Sequence, residues 1–344
     1  MSKDHAQLHE HIEQKNLKQI RLACMQHGGL GSSKLRREIW PLLLKVHENS
    51  NLLIDWKATV QPNEYSEIIK RDVNRSLFGL DITDHFTEDH RLFKRSQLSK
   101  IINAVINKNP NLHYFQGFNS ICTVFLLIGD EDLGFKMSYQ CAELFIKDSM
   151  RKSFEEGVSL EMHLIYELLE KNDKKLTKKL RQIYTIDTNV NSPMFSLSWV
   201  LTWLSHSMHS FDKLCRVFDF CLASHPLAPV YIAAAIILNE KTSIMKCADM
   251  PEIHQYFHDL VCHIDVEMIC DMSLSMMCKF YPSKLVNRSA KKFHDDSPLY
   301  FDCELEDILR NLPNGNGVRQ YFLVSIIVLV AAIGYSLYYN LLFL

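Results

Sequence analysis

Ile68-Ile69-Lys70-Arg71-Asp72-Val73-Asn74-Arg75-Ser76-Leu77 is the stretch from which the fold class is read. Neither glycine nor proline interrupts the chain from Glu64 to Phe78. Apolar residues recur at Tyr65, Ile68, Ile69, Val73 and Leu77, a spacing that predicts a helix. At about 100° per residue, Tyr65, Ile69 and Ser76 fall together on one side, with Asp72 in the middle of it. A carboxylate on an inward face is costly unless a partner satisfies it. Arg75 lies one turn on, at the edge of that face and within i,i+3 reach of Asp72. The pattern reads either as a rim arginine held from behind by a half-buried acid or as a surface arginine in a local ion pair.

A second stretch bears on that choice. An amphipathic run (Leu98, Ile101, Ile102, Val105, Ile106) stops at Asn109-Pro110; Tyr114-Phe115-Gln116-Gly117 follows and leads into the apolar segment Ile121 to Ile128. The pair Ile69-x-x-Asp72-x-x-Arg75 and Tyr114-x-Gln116-Gly117 resembles the double signature of TBC domains, the Rab GTPase-activating proteins. Leu35-Arg36-x-x-Ile39-Trp40-x-x-Leu43-Leu44 is similar to that family's opening motif, and Phe195 to Trp203 followed by Arg216-Val217-Phe218-Asp219 to its later aromatic segments. Phe218 stands where the family commonly has tryptophan, a departure that bears on the partner interface. The resemblance covers roughly Gly28 to Lys284.

It implies an all-α, TBC-type fold in two helical subdomains, with an N-terminal helix over 1–27 and the TBC domain over 28–285. Arg75 would be an arginine finger and Gln116 a glutamine finger, both acting in trans on a Rab in its GTP-bound form. Asp72, Tyr114 and Gly117 would support them. Arg36 and Trp40 are either structural or partner-facing. GTP and Mg would be carried by the Rab, so the chain needs no cofactor of its own, and it is an activator rather than an enzyme in the strict sense. The alternative is a Rab-binding scaffold without catalytic effect.

Composition sets outer limits. A chain of 344 residues that is 47% hydrophobic with 11 glycines can fill a large helical core, and a formal net charge of −2 gives no general electrostatic case for nucleic acid. The ten cysteines form no CxxC pair and read as reduced thiols. Gly28-Gly29-Leu30-Gly31-Ser32-Ser33-Lys34 lacks the GxxxxGK[ST] spacing of a phosphate loop and reads as a helix stop and turn. His254 and His258 stand at i,i+4, but Gln255 sits where a zinc protease has its glutamate, so no metal site is expected. Residues 79–96, charged and broken by Gly79, are expected to be a loop, and Phe195 to Met208 one mostly buried helix. The basic run from Lys171 to Arg181 reads as a solvated face, with an acidic partner or anionic lipid as the alternative.

From about Asn287 the character changes. Residues 286–320 are charged and turn-rich, which predicts a linker with one short helix. Residues 321–344 carry no charge; at 1.5 Å per residue such a helix reaches about 36 Å, enough to cross a hydrocarbon core of about 30 Å. The expectation is a C-terminal transmembrane tail anchor with the TBC domain in the cytosol. A TBC domain with such an anchor resembles the endoplasmic-reticulum-anchored members of the family, which implies an endoplasmic reticulum membrane, with the Golgi as a second location, and a Rab of transport between the two.

Overall fold

The computed structural model describes residues 11–312 except positions 13, 15, 54, 155–156, 189–192, 290–291 and 301–302. The described residues form helices and turns, with no strand among them. The first half contains α1 (Leu17–Met25), α2 (Ser33–Leu43), α3 (Ser66–Asn74), α4 (Glu88–Lys108), α5 (Phe118–Ile128), α6 (Glu131–Leu144) and α7 (Val158–Asn172). The second contains α8 (Lys174–Thr188), α9 (Leu197–Thr202), α10 (Phe211–Ala223), α11 (Ala228–Asn239), α12 (Lys241–Ile244), α13 (Met250–Leu260), α14 (Val266–Lys279), α15 (Pro282–Arg288) and α16 (Cys303–Asn311). No described helix is long and apolar enough to cross a membrane, and the expected span, 321–344, lies outside the described residues.

Local chemistry starts these helices where they start. Ser32, Thr87, Asp130 and Asp249 each accept the backbone N–H three residues on, satisfying a donor that the first turn leaves free. Helix α11 is apolar all round and buried from Ala228 through Ile237, so it can only be a central element; it packs on α7 and α14. One continuous apolar cluster joins Ile20 in α1 to Leu309 in α16.

Asp219, fully buried on α10, ties the N-terminal segment to this core. It accepts from Arg36 Nε and Nη2 (each 3.1 Å), from Trp40 Nε1 (2.8 Å) and from the Leu30 amide (3.1 Å). Burial pushes the Asp219 carboxyl up, against the pull of the Arg36 guanidinium. Gly29 (φ +51°) packs so closely here that a Cβ would come within 2.8 Å of Asp219 Oδ2, which is why the turn needs glycine. The glycine cluster is thus a backbone turn wrapped onto a carboxylate. Phe218, beside Asp219, is also interior: its ring lies 5.8 Å from Trp40 and 5.1 Å from Trp203. The departure at that position therefore concerns core packing rather than an interface.

Two expectations are corrected. Residues 79–96 are a loop only to Thr87, after which α4 begins with Glu88 and Asp89 in its first turn. Phe195 to Met208 is not one helix: α9 ends at Thr202, and Trp203 and Leu204 both adopt left-handed conformations (φ 52° and 65°). In the 286–320 segment, Phe293, Leu299, Leu305, Ile308 and Leu309 are buried against the body, and Asp296 pairs with Lys147 (2.9 Å) and Arg151 (2.5 Å).

Candidate functional site

Arg75 caps the C-terminus of α3, and Gly117 is the residue from which α5 starts. These helices pack against each other, so the end of one and the beginning of the other meet at a shared surface. A cavity of about 370 Å³ opens there, and Arg75, Gln116 and Gly117 all line it, with Ser76, Phe78, Asn119, Thr202 and His206 among its other walls. Arg75 and Gln116 are exposed, the arginine side chain by 55%. The two residues singled out from sequence thus face one opening.

The arginine is held from behind. Its Nη2 donates to Asp72 Oδ1 at 2.6 Å, and Asp72 is 4% exposed. The second carboxylate oxygen accepts the hydroxyl of Tyr114 at 2.7 Å. Both acceptors of a buried acid are therefore engaged, and its negative charge lies behind the guanidinium. Burial and the Asp72 carboxylate push the Tyr114 hydroxyl well above its usual range, so it stays a donor at any physiological pH. The rim arginine and the local ion pair, alternatives in the sequence, are here one arrangement.

Two side chains without an assigned role in the sequence join the halves. Asn119 Oδ1 accepts the Gly117 amide (3.2 Å), and its Nδ2 donates to Ser76 Oγ (2.9 Å). Ser76 Oγ in turn donates to the Asp72 backbone carbonyl (2.8 Å). This buried chain runs from the turn after Gln116 to the helix end that carries Arg75, linking the two exposed side chains through the interior. Gly117 has φ +119°, and a Cβ on it would lie 2.7 Å from Thr202 Cγ2, so backbone and space both require glycine. The positive end of α5 faces the same cavity. An arginine, a carboxamide and a helix N-terminus around one opening suit an anion.

Arg36 and Trp40 are not at this cavity: both are buried in the Asp219 hub, as structural elements.

Residues 33–245 match RabGAP-TBC, the Rab-GTPase-TBC domain. The chain belongs to the Rab-GTPase-TBC domain family. Human TBC1 domain family member 20 is 28% identical over 272 residues, 79% of this chain and 65% of that protein. GTPase-activating protein gyp10 of Schizosaccharomyces pombe is 27% identical over 250 residues, 71% of this chain and 63% of that one. The chain thus spans about two-thirds of the length of these relatives. Among solved structures, the Chlamydomonas flagellar RabGAP TBC domain superposes with a TM-score of 0.57 at 16% identity, over 76% of this chain and 83% of that one. The Ypt/Rab-GAP domain of Gyp1p does so with 0.56 at 15% identity, over 76% and 91%. The TBC fold of this chain is all-helical, as its periodicity indicates.

Proposed function

We propose that this TBC domain is a GTPase-activating protein for Rab GTPases, with Arg75 and Gln116 acting in trans on a GTP-bound partner. The observation that carries the proposal is the shared cavity: an acid-backed, exposed arginine and an exposed carboxamide stand on one rim, coupled through Asn119 and Ser76. A small GTPase is slow because charge gathering on the transferred phosphoryl oxygens is incompletely countered and the attacking water is poorly oriented. A guanidinium supplied in trans meets the first need; its planar fork contacts two oxygens and never loses its charge. That contribution is worth about 10³–10⁵ in rate, or roughly 4–7 kcal/mol of barrier. A neutral carboxamide meets the second, accepting from water while donating to a phosphate oxygen. GTP and Mg belong to the partner.

The membrane part of the proposal rests on the uncharged run 321–344 and on the resemblance to anchored family members. It places the TBC domain on the cytosolic face of the endoplasmic reticulum, serving a Rab of transport toward the Golgi.

Single-turnover GTP hydrolysis by a panel of GTP-loaded Rabs, with the full chain in detergent micelles, tests the catalytic reading. Arg75→Ala should lower the stimulated rate by about 10³ or more while the complex still forms. If that variant stimulates as well as the parent, the catalytic role fails and a non-catalytic Rab-binding scaffold takes its place.

A further inference from the structure

Between α9 and α10 the chain turns through Trp203 and Leu204, consecutive non-glycine residues in left-handed conformations (φ 52° and 65°), the one such pair among the described residues. A residue with a side chain keeps that conformation only where its surroundings over-determine it, and such strain gathers at functional sites. Here the core does the holding. Both side chains are buried, and the Trp203 ring lies 5.9 Å from that of Phe145 and 5.1 Å from that of Phe218. Met208, at the far side of the turn, is buried as well, while His206 between them is exposed.

The turn is fastened to both halves of the site. Thr202, which ends α9, stands against the glutamine turn, since a Cβ on Gly117 would come within 2.7 Å of its methyl group. The same Thr202 accepts the His206 amide on its Oγ1 (3.3 Å). Three residues on, His209 Nδ1 donates to the Gly79 carbonyl (2.7 Å), and the His209 carbonyl accepts the Asp81 amide (3.0 Å), both in the segment that follows Arg75. His206 therefore lies between an anchor on the Gln116 side and one on the Arg75 side, and it lines the same cavity as both. The charges around it are few. Among the described residues lining that cavity Arg75 is the one with a formal charge, and no carboxylate joins it. Asp72 is engaged behind Arg75, Asp81 accepts the Ile82 and Phe211 amides, and His209 is held by Gly79. The His206 imidazole itself has no partner among the described residues; its one hydrogen bond is through the backbone.

We propose that His206 is a third contact of this site, its imidazole donating to an anionic oxygen of the GTP-loaded partner, either a phosphoryl oxygen of the nucleotide or a carboxylate beside it. The inference rests on the function proposed above. A rigid, strained turn that presents an unpartnered ring at the cavity of Arg75 and Gln116 leaves the ring's partner to come from outside the chain. Histidine is the side chain whose charge changes across near-neutral pH, and one that meets an anion binds it better protonated. The contact therefore strengthens stimulation in mildly acidic solution and fades as pH rises.

The test is the ratio of stimulated kcat/KM between the parent and His206→Gln, taken across pH with GTP-loaded Rabs and the full chain in detergent micelles. Whatever pH does to the Rab cancels in that ratio. It should be at least about tenfold near pH 6, as for a hydrogen bond to a charged group, and fall to about twofold near pH 8. His206→Lys, a fixed cation, should keep stimulation near the parent's acidic value at both ends. Complex formation with a Rab loaded with GDP, with and without aluminium fluoride, locates the oxygen. Weakening by His206→Gln only with fluoride assigns it to the transferred phosphoryl group, and equal weakening in both assigns it to a carboxylate of the partner. A ratio that stays flat with pH overturns the proposal, and does so as a structural role if thermal unfolding shows His206→Gln destabilised; an inactive Arg75→Ala in the same assay then leaves the catalytic reading standing. If the parent stimulates no Rab in the panel, the proposed function falls and takes the His206 contact with it.

Discussion

Asp72 is the residue at which the design of the site is most exposed to test. Asp72→Asn keeps its volume and one carbonyl oxygen but turns the other acceptor into an NH₂ group. In the native arrangement Oδ1 accepts from Arg75 at 2.6 Å and Oδ2 from Tyr114 at 2.7 Å. Asparagine can serve one of these donors; the other then faces an N–H, donor against donor. Loss of a hydrogen bond to a charged group costs about 1.5–3 kcal/mol, and a buried hydroxyl or guanidinium left without an acceptor adds to that. Because the arginine side of the pair is half exposed, water replaces part of its loss, so the lower half of the sum applies: about 2–3 kcal/mol in stability. For a folded body of this size that lowers Tm by roughly 3–5 °C. The catalytic effect is of a different kind. The guanidinium is still present but no longer held on the rim, so the stimulated rate should fall by about 10–100-fold, well short of the loss expected for Arg75→Ala. Thermal unfolding followed by circular dichroism and single-turnover phosphate release on one preparation read both quantities. Full stimulation together with a Tm within about 1 °C of the parent would refute the claim that Asp72 sets the arginine.

The next two perturbations probe the glutamine side of the site and a buried acid outside it. Gly117→Ala should slow stimulated hydrolysis and lower Tm, because its Cβ would meet Thr202 Cγ2 at 2.7 Å; Thr202→Ser should restore only part of each, since the strain of φ +119° remains, and full rescue would show that backbone conformation is irrelevant. Glu161, buried on α7, has its carboxyl pushed up to about 8 by burial and then by the nearby Asp148 carboxylate. A carboxyl raised in the folded state contributes fully below its unfolded value, near 4.5, and stability falls as pH rises through the window up to about 8. Glu161→Gln should therefore change little at pH 4 and stabilise the protein at pH 8, on the order of a kcal/mol or more, measured by urea unfolding at both values; equal effects at the two would contradict a protonated Glu161.

How much of this was written in the sequence follows from the range over which each signal acts. Asp72 and Arg75 lie within one helical turn, so helix phase alone places the acid inside and the arginine at the edge, and the structure bears this out with a 2.6 Å contact. Tyr114, Gln116 and Gly117 were legible only through resemblance, because no local rule brings a loop after Pro110 against a helix that ends at Asn74. Asn119 and Ser76, 43 positions apart, gave no sign of their partnership, since a buried asparagine and serine read as ordinary helix residues until both ends of the bond are in view. Arg36 remained ambiguous for the same reason: its partner, Asp219, is 183 positions away.

The misread start of α4 is the most instructive case. Residues 88–96 show little apolar periodicity, the main signal for a helix, and so resembled a loop. Yet Thr87-Glu88-Asp89 is a start signal in itself, a capping hydroxyl followed by acids in the first turn. The apolar stripe is missing because the inward positions belong to Arg91 and Arg95, whose guanidiniums spend themselves on the carbonyls of Ser76, Leu77, Thr83 and Phe86 instead of reaching solvent. The outward positions carry Leu92 and Phe93, the reverse of the usual pattern. These first turns, unlike the rest of α4 from Leu98 on, give the core no apolar side chain, and Leu92 and Phe93 face water. What these turns contribute instead is the hold of two guanidiniums on four carbonyls, which fixes the segment leading out of α3, so the stretch that sequence periodicity handles worst is the one whose cohesion is polar.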